Sequence, residues 1–297
     1  MKVGIPRSIN YYQNRFIWRY FFKYLKVEIV ISPNTNRKIM EKGVELANDE
    51  MCLSLKNYLG HIAYLKDKCD YVLVPRIDNY GRANQTCTNF LAAYDLAHNL
   101  LDVKLLNYNI DYVNRETEYK GYLKIGKTLG FGNLEIKKAY EYAKIKNDKE
   151  LKKIYIDNIN KLKSNKTKIL LVGHDYNTMD ELIGKPIIKY LEKNNCEVIL
   201  STNLKASETN KLSYKISKTL YWKYNKENIG AIEYTINNID GIILLSSFPC
   251  GPDSIVNELV IRKVKKPIIN LIIDDLDSFT GLETRLESFL DIVKQSV

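Results

Sequence analysis

Three of the five cysteines, Cys52, Cys87 and Cys250, share one sequence context. Each ends a polar loop and precedes a run that is predicted to be helical. The amides and the dipole at a helix start stabilise a thiolate, which is the form of cysteine that ligates metals. The pattern is strongest at Cys250, because Pro252 suits the first turn of a helix. A buried, unreactive cysteine fits the same pattern, so the residues alone leave both interpretations open.

The remaining cysteines, Cys69 and Cys196, each lie just before a predicted strand and are expected to fill space. No two cysteines are separated by two residues, which disfavours zinc-ribbon, thioredoxin-type and ferredoxin-type sites. An odd number of cysteines also argues against a disulfide framework. Three separated thiolates can still meet if the fold brings their loops together. Three cysteine ligands would leave one iron of a cubane iron–sulfur cluster without a cysteine.

Apolar strand-like runs alternate with helical patterns in two successive series. The predicted strands are 2–6, 27–32, 71–75 and 104–109 in the first series, and 168–173, 197–201, 241–246 and 267–273 in the second. Short, continuous apolar strands between helices indicate parallel sheets that are covered on both faces. We therefore predict an α/β protein with two doubly wound lobes of Rossmann or flavodoxin type.

A helical linker is predicted between the lobes. Residues 134–163 are highly charged, contain no Pro or Gly, and have apolar residues at helical spacing. The expected boundaries are 1–115 for the N-terminal lobe, 116–165 for the linker and 166–297 for the C-terminal lobe.

Parallel sheets bind ligands beyond the carboxyl ends of their strands, which selects several polar residues. Arg7 and Arg76 each follow a proline at a predicted strand end, where a fixed guanidinium could neutralise an anionic cofactor or grip a phosphate. Ion pairing across a cleft between the lobes is the alternative for both arginines. Ser247 directly follows another predicted strand and is predicted to bind the cofactor. His174 follows a strand, where it could donate a hydrogen bond or carry a proton, and is a candidate catalytic residue.

Two further residues are candidates because of their spacing from the cysteines. Gly251 directly follows Cys250 and would let the backbone approach a cofactor closely. Lys56 lies four residues after Cys52, so both would face the same side of a helix. Lys56 is therefore a second candidate catalytic residue, with ion pairing as its alternative.

Several segments resemble, in order along nearly the whole chain, proteins related to the 2-hydroxyacyl-CoA dehydratases and their activases. The similar segments are 1–12, 32–36, 52–62, 71–76 and 246–254. The resemblance implies that Cys52, Cys87 and Cys250 hold a [4Fe–4S] or related cluster in a cleft between the lobes. It also implies that low-potential electrons arrive from an ATP-dependent activator protein or a ferredoxin-like donor, for reduction or dehydration chemistry on an acyl-CoA or another small molecule. Ser54 and Thr88 stand where the family usually has proline.

Other classes of function are disfavoured by composition. The net charge is +10, but the lysines are spread over the helices and interleaved with acidic residues, so no nucleic-acid partner is expected. The apolar runs are too short to span a membrane, and no signal peptide is expected before the first strand, which favours the cytoplasm. Residues 121–128 match the spacing of a P-loop, but their bulky side chains argue against one.

Alternative functions also stay open at this point. One is a cluster-free module that binds acyl-CoA or another anionic ligand, and the second is a scaffold partner of an activase. A homodimer is compatible with each of them.

Overall fold

The structure, a computed structural model, describes residues 1–275 and 279–296. The chain forms two compact units, unit 1 (Met1–Leu151) and unit 2 (Lys152–Val297). Each unit contains a parallel four-stranded sheet with helices between its strands, which confirms the predicted α/β class. Within the described ranges, no helix has both the length and the apolar character needed to cross a membrane.

Unit 1 is built on a sheet whose strands are all parallel. Its strands are β1 (Lys2–Ile5), β2 (Glu28–Ile31), β3 (Tyr71–Leu73), β4 (Arg76–Asn79), β5 (Leu105–Leu106) and β6 (Asn109–Asp111). Its helices are α1 (Tyr11–Tyr24), α2 (Arg37–Leu46), α3 (Leu53–Leu65), α4 (Thr88–Leu100), α5 (Glu118–Thr128) and α6 (Asn133–Leu162), the last of which continues into unit 2. The main sheet has the order β2-β1-β3-β5, and β4 and β6 form a separate parallel pair.

Unit 2 repeats the same order of strands. Its strands are β7 (Thr167–Val172), β8 (Cys196–Leu200), β9 (Gly241–Ser247) and β10 (Ile268–Ile273). Its helices are α7 (Asp175–Thr178), α8 (Gly184–Lys193), α9 (Ala206–Thr209), α10 (Lys223–Thr235), α11 (Gly251–Lys263) and α12 (Phe279–Gln295). The sheet order is β10-β9-β7-β8, so in both units the first strand lies between the second and the third. Ligands of doubly wound sheets bind beside the first and third strands, where the direction of winding reverses.

Apolar residues explain why these strands are central. All seven residues of β9 are buried, as are the last four of β7, which fits strands covered on both faces. In unit 1, α1 turns Trp18, Phe21 and Phe22 into the core, and each such burial contributes about 1.5–3 kcal/mol. The buried Trp18 indole donates a hydrogen bond to the Tyr108 hydroxyl at 3.1 Å, so its polar atom is satisfied.

Two local predictions are tested by the helices. The charged stretch is predicted to form one helix or two, and its residues 134–162 lie in one continuous helix, α6. The P-loop-like stretch 121–128 lies inside α5 and forms no phosphate-binding loop, which confirms its rejection.

Helices α2 and α3 cross in backbone contact at a pair of glycines. A methyl group added at Gly43 would lie 2.0 Å from the carbonyl oxygen of Lys56, and one added at Gly60 would lie 2.0 Å from that of Ile39. These distances are far inside van der Waals contact, so either methyl group would force the two helices apart. The crossing positions the start of α3, which carries Cys52.

We expect Gly43→Ala and Gly60→Ala each to lower the free energy of unfolding of unit 1 by about 1–3 kcal/mol or more, because overpacked backbones must shift. The change can be measured by urea unfolding, followed by the fluorescence of Trp18 in a Trp222→Phe background. Gly132→Ala is the matched control, since no atom lies within 4 Å of its added methyl group. Equal stability of the Gly60→Ala and Gly132→Ala proteins would contradict the close crossing.

Candidate functional site

Each of the three predicted cysteine ligands occupies the N-cap of a helix. Cys52 precedes α3, Cys87 precedes α4 and Cys250 precedes α11, and all three are half-buried. All three also have extended backbone angles, as N-cap residues do. Each cysteine therefore directly precedes the unpaired amides of a first helical turn, which favour negative charge, although none of the three side chains makes a capping hydrogen bond. The predicted loop-to-helix context is confirmed for all three.

A side-chain amide connects two of these helix starts within unit 1. The Asn89 Nδ2 group donates a hydrogen bond to the Cys52 Sγ atom at 3.4 Å. Asn89 is the second residue of α4 and lies two positions after Cys87. Cys52 is therefore next to the first turn of the helix that Cys87 caps.

The loop before Cys87 is held against strand β4. The Thr86 hydroxyl donates to the carbonyl oxygens of Ile77, at 2.5 Å, and Asp78, at 3.0 Å. The backbone N–H of Thr86 also donates to the Asp78 carbonyl oxygen, at 2.8 Å. These bonds fix the residue that precedes Cys87, so the start of α4 is tied to the sheet.

Cys250 follows β9 and begins a polar network within unit 2. A cis peptide bond joins Phe248 and Pro249 directly before it. The Asp253 side chain, in the first turn of α11, is almost fully buried and shares a hydrogen bond with the Cys250 side chain. Asp253 also accepts a hydrogen bond from Asn225, at 2.7 Å.

His174 completes this network. It caps α7 directly after β7, and its Nε2 atom lies 3.1 Å from Asp253 Oδ1. Its ring stacks on Tyr176, with centroids 4.9 Å apart, and meets the edge of Tyr224. The carboxyl ends of β7 and β9 are thus linked at the first and third strands of the unit 2 sheet.

Burial and charge act in opposite directions on this pair. Burial alone would lower the pKa of His174, but the charge and hydrogen bond of Asp253 outweigh it and raise that pKa. Burial would raise the pKa of Asp253, but His174 and Asn225 hold it below its usual range. Both shifts favour the charged form of each group, so the contact favours a buried ion pair of His174 with Asp253.

The other predicted residues lie in more varied surroundings. Arg7 donates to the Ser32 carbonyl oxygen at 3.1 Å and to Asn34 Oδ1 at 2.6 Å, which fixes its guanidinium beyond β1. Arg76 pairs with Asp95 and lies over the Tyr94 ring, 4.3 Å from its centroid. Arg76 therefore makes an ion pair within unit 1.

Two of the remaining predicted residues are buried and one is exposed. Lys56 is buried on α3 one turn after Cys52, and Ser247 is buried at the end of β9. Gly251 is exposed, and an added methyl group there would meet no atom within 4 Å. Of the two cysteines predicted to fill space, Cys196 is buried, and the thiol of the half-buried Cys69 donates to the Leu65 carbonyl oxygen.

His61, on α3, lies in a fully buried polar contact of unit 1. Its Nδ1 atom lies 2.9 Å from the Ser32 hydroxyl and its Nε2 atom lies 3.0 Å from the Thr35 hydroxyl. Burial, with a smaller contribution from the positive charge of Arg7, lowers the pKa of His61 to about 3. His61 is therefore neutral and braces the loop after β2, whose Ser32 and Asn34 hold Arg7.

The donor chemistry of the unit 1 cysteines fits an iron–sulfur cluster. Thiolates are the usual ligands of such clusters, and amides that donate to sulfur are the usual second layer. Cys52 has both a helix start and the Asn89 amide. Over residues 1–275 and 279–296, no three His, Cys, Asp or Glu side chains are grouped closely enough to hold a single metal ion.

Comparison with known proteins gives one family. The family model described as the CoA enzyme activase uncharacterised domain matches residues 2–204. The match includes Cys52, Cys87 and His174 and ends before Cys250. A comparison with curated proteins finds no match. Because the family model covers more than half of its 297 residues, the chain belongs to the family of the CoA enzyme activase uncharacterised domain.

Proposed function

We propose that the protein holds one iron–sulfur cluster on Cys52, Cys87 and Cys250 and uses it in electron transfer linked to a CoA enzyme. The observation that carries the proposal is that all three cysteines, and neither Cys69 nor Cys196, occupy the N-cap of an α-helix. Membership of the activase-related family supports it. The cluster, most simply [4Fe–4S], would supply a low-potential one-electron centre.

The chain's own residues have distinct roles in this proposal. Each cysteine directly precedes the partial positive charge of a helix start, which favours the thiolate form. Arg7, fixed by Ser32 and Asn34, adds a full positive charge beyond β1. Asp253 contacts Cys250 and is paired with His174, whose ring could take up or release a proton. An ATP-dependent activator or a ferredoxin-like protein is the proposed electron donor.

Anaerobic reconstitution tests the proposal directly. We expect roughly four iron and four sulfide per chain, with broad visible absorbance that bleaches on reduction. Cys52→Ser, Cys87→Ser and Cys250→Ser should each lose most of the iron. Cys69→Ser and Cys196→Ser are the matched controls and should retain it. A colourless wild-type protein, or iron retained after replacement of all three ligands, would overturn the proposal.

A second candidate function is binding of acyl-CoA or another anionic ligand without a cluster. Arg7 favours it, because its guanidinium is held at the end of the first strand, where doubly wound sheets bind phosphates. CoA binding that survives replacement of Cys52, Cys87 and Cys250 by serine, and is lost in Arg7→Met, would support this function. Isothermal titration of CoA into both variants measures it.

A further inference from the structure

The Asn89 side chain contacts the sulfur of a proposed ligand, Cys52. Its amide nitrogen lies 3.4 Å from Cys52 Sγ, within hydrogen-bonding range for sulfur. The residue is half-buried in the first turn of α4, next to the cap formed by Cys87. The amide carries no charge and does not titrate, so its effect on the sulfur persists at every pH at which the protein is folded.

The position of Asn89 follows from the elements that hold it. Thr86 ties the start of α4 to β4, and the helix then presents its second residue towards the start of α3. One side chain therefore spans the two helix starts that carry Cys52 and Cys87. An amide in this place can act on a bound group through the sulfur that it contacts.

We infer that Asn89 is a positioning residue that raises the reduction potential of the bound cluster through its N–H···S bond to Cys52; the inference rests on the proposed function. A donor to a ligand sulfur withdraws negative charge from it. The reduced cluster carries one more electron than the oxidised cluster, so the donor stabilises the reduced form more. Hydrogen bonds to sulfur are among the factors that set the potentials of such clusters.

The experiment compares the reduction potentials of reconstituted proteins, measured by anaerobic dye-coupled titration and the electron paramagnetic resonance signal of the reduced form. Asn89→Leu removes the donor at similar size and should shift the potential to more negative values. The expected shift is up to about tenfold in the equilibrium constant for one-electron reduction, which corresponds to about 59 mV. Asn89→Gln keeps an amide donor and should lie between Asn89→Leu and wild type.

Two more variants separate the effect of the hydrogen bond on the reduction potential from the effects of an added charge and of other changes in α4. Asn89→Asp replaces the donor by a negative charge and should give the most negative potential of the series. Asn99→Ala removes another amide of α4, one that contacts Asp95 rather than a cysteine, and should leave the potential unchanged. Circular dichroism confirms that each variant is folded, and iron analysis confirms that each is loaded.

The outcomes distinguish the role of Asn89 from the proposal that the protein holds an iron–sulfur cluster. The order wild type, Gln, Leu, Asp, from least to most negative, supports the role of Asn89. Loaded Asn89→Leu protein with the wild-type potential overturns that role and leaves the cluster proposal standing. Wild-type protein that takes up no iron overturns both.

Discussion

Acidification from pH 7 to pH 5 should destabilise unit 1 by about 2 kcal/mol through His61 alone. In the folded protein its pKa is lowered to about 3, whereas the unfolded chain has the ordinary value near 6.5. The unfolded chain therefore binds a proton first as the pH falls. The stability that neutral His61 contributes is fully present above about pH 6.5 and is lost progressively as the pH falls towards 3.

The two tryptophans allow this effect to be measured in one unit. Trp18 lies in the core of unit 1 and Trp222 lies in unit 2, so Trp222→Phe leaves Trp18 as the reporter. Urea unfolding of this protein at pH 7 and pH 5 gives the free energies to be compared. In a His61→Gln variant, stability at pH 7 should be lower, but most of the difference between the two pH values should disappear.

His98→Gln is the matched control for the acid effect. His98 is an exposed residue of α4, so its replacement should leave the pH dependence of unit 1 as it is in the parent protein. The same loss of stability in the His61→Gln and His98→Gln proteins between pH 7 and pH 5 would show that other groups cause it. Neutral His61 would then not be the source of the acid sensitivity.

Removal of the Asp253 carboxylate is the second change with a large expected effect. Asp253→Ala leaves His174 and Asn225 buried without their shared acceptor. Breaking a buried, hydrogen-bonded ion pair by removing one partner costs about 3–5 kcal/mol, so we expect unit 2 to lose stability of that order. Asp253→Asn should cost less, because its amide oxygen can still accept a hydrogen bond from Asn225.

Trp222 fluorescence in a Trp18→Phe background measures the unfolding of unit 2. Glu258→Ala is the control on the same helix, since Glu258 pairs with Arg262 at the exposed surface of α11. Its expected cost is below about 1 kcal/mol, as for other exposed pairs. Similar losses in Asp253→Ala and Glu258→Ala would contradict a stabilising role for the buried pair.

The sequence predicts the strands of the two four-stranded sheets, though not the short pair of β4 and β6, because the signals of those strands are local. Continuous apolar runs of four to seven residues mark the buried parallel strands, and β9 differs from its prediction by one residue at one end. The N-cap positions of Cys52, Cys87 and Cys250 could also be predicted, because Pro252 and the ends of polar loops mark helix starts locally. These features depend on neighbours along the chain, which a single sequence displays.

The partners of the site residues could not be predicted in the same way. Asp253 meets His174 across 79 positions, and Asn89 meets Cys52 across 37. Such contacts depend on which loops the folded sheet brings together, and many polar residues compete for each place. The best local signal that Asp253 belongs to the site was its position in the first helical turn after Cys250, where an acidic side chain interacts favourably with the helix dipole.

Helix α6 sets a practical rule for dividing the protein into fragments. Its first half supplies Ile136, Ala139 and Ala143 to the interior of unit 1. Its second half carries Asn158, whose side chain bonds both backbone groups of Leu200 in unit 2. A truncation placed at residue 151 would cut this helix in mid-turn. Recombinant halves should therefore overlap, with residues 133–162 present in each.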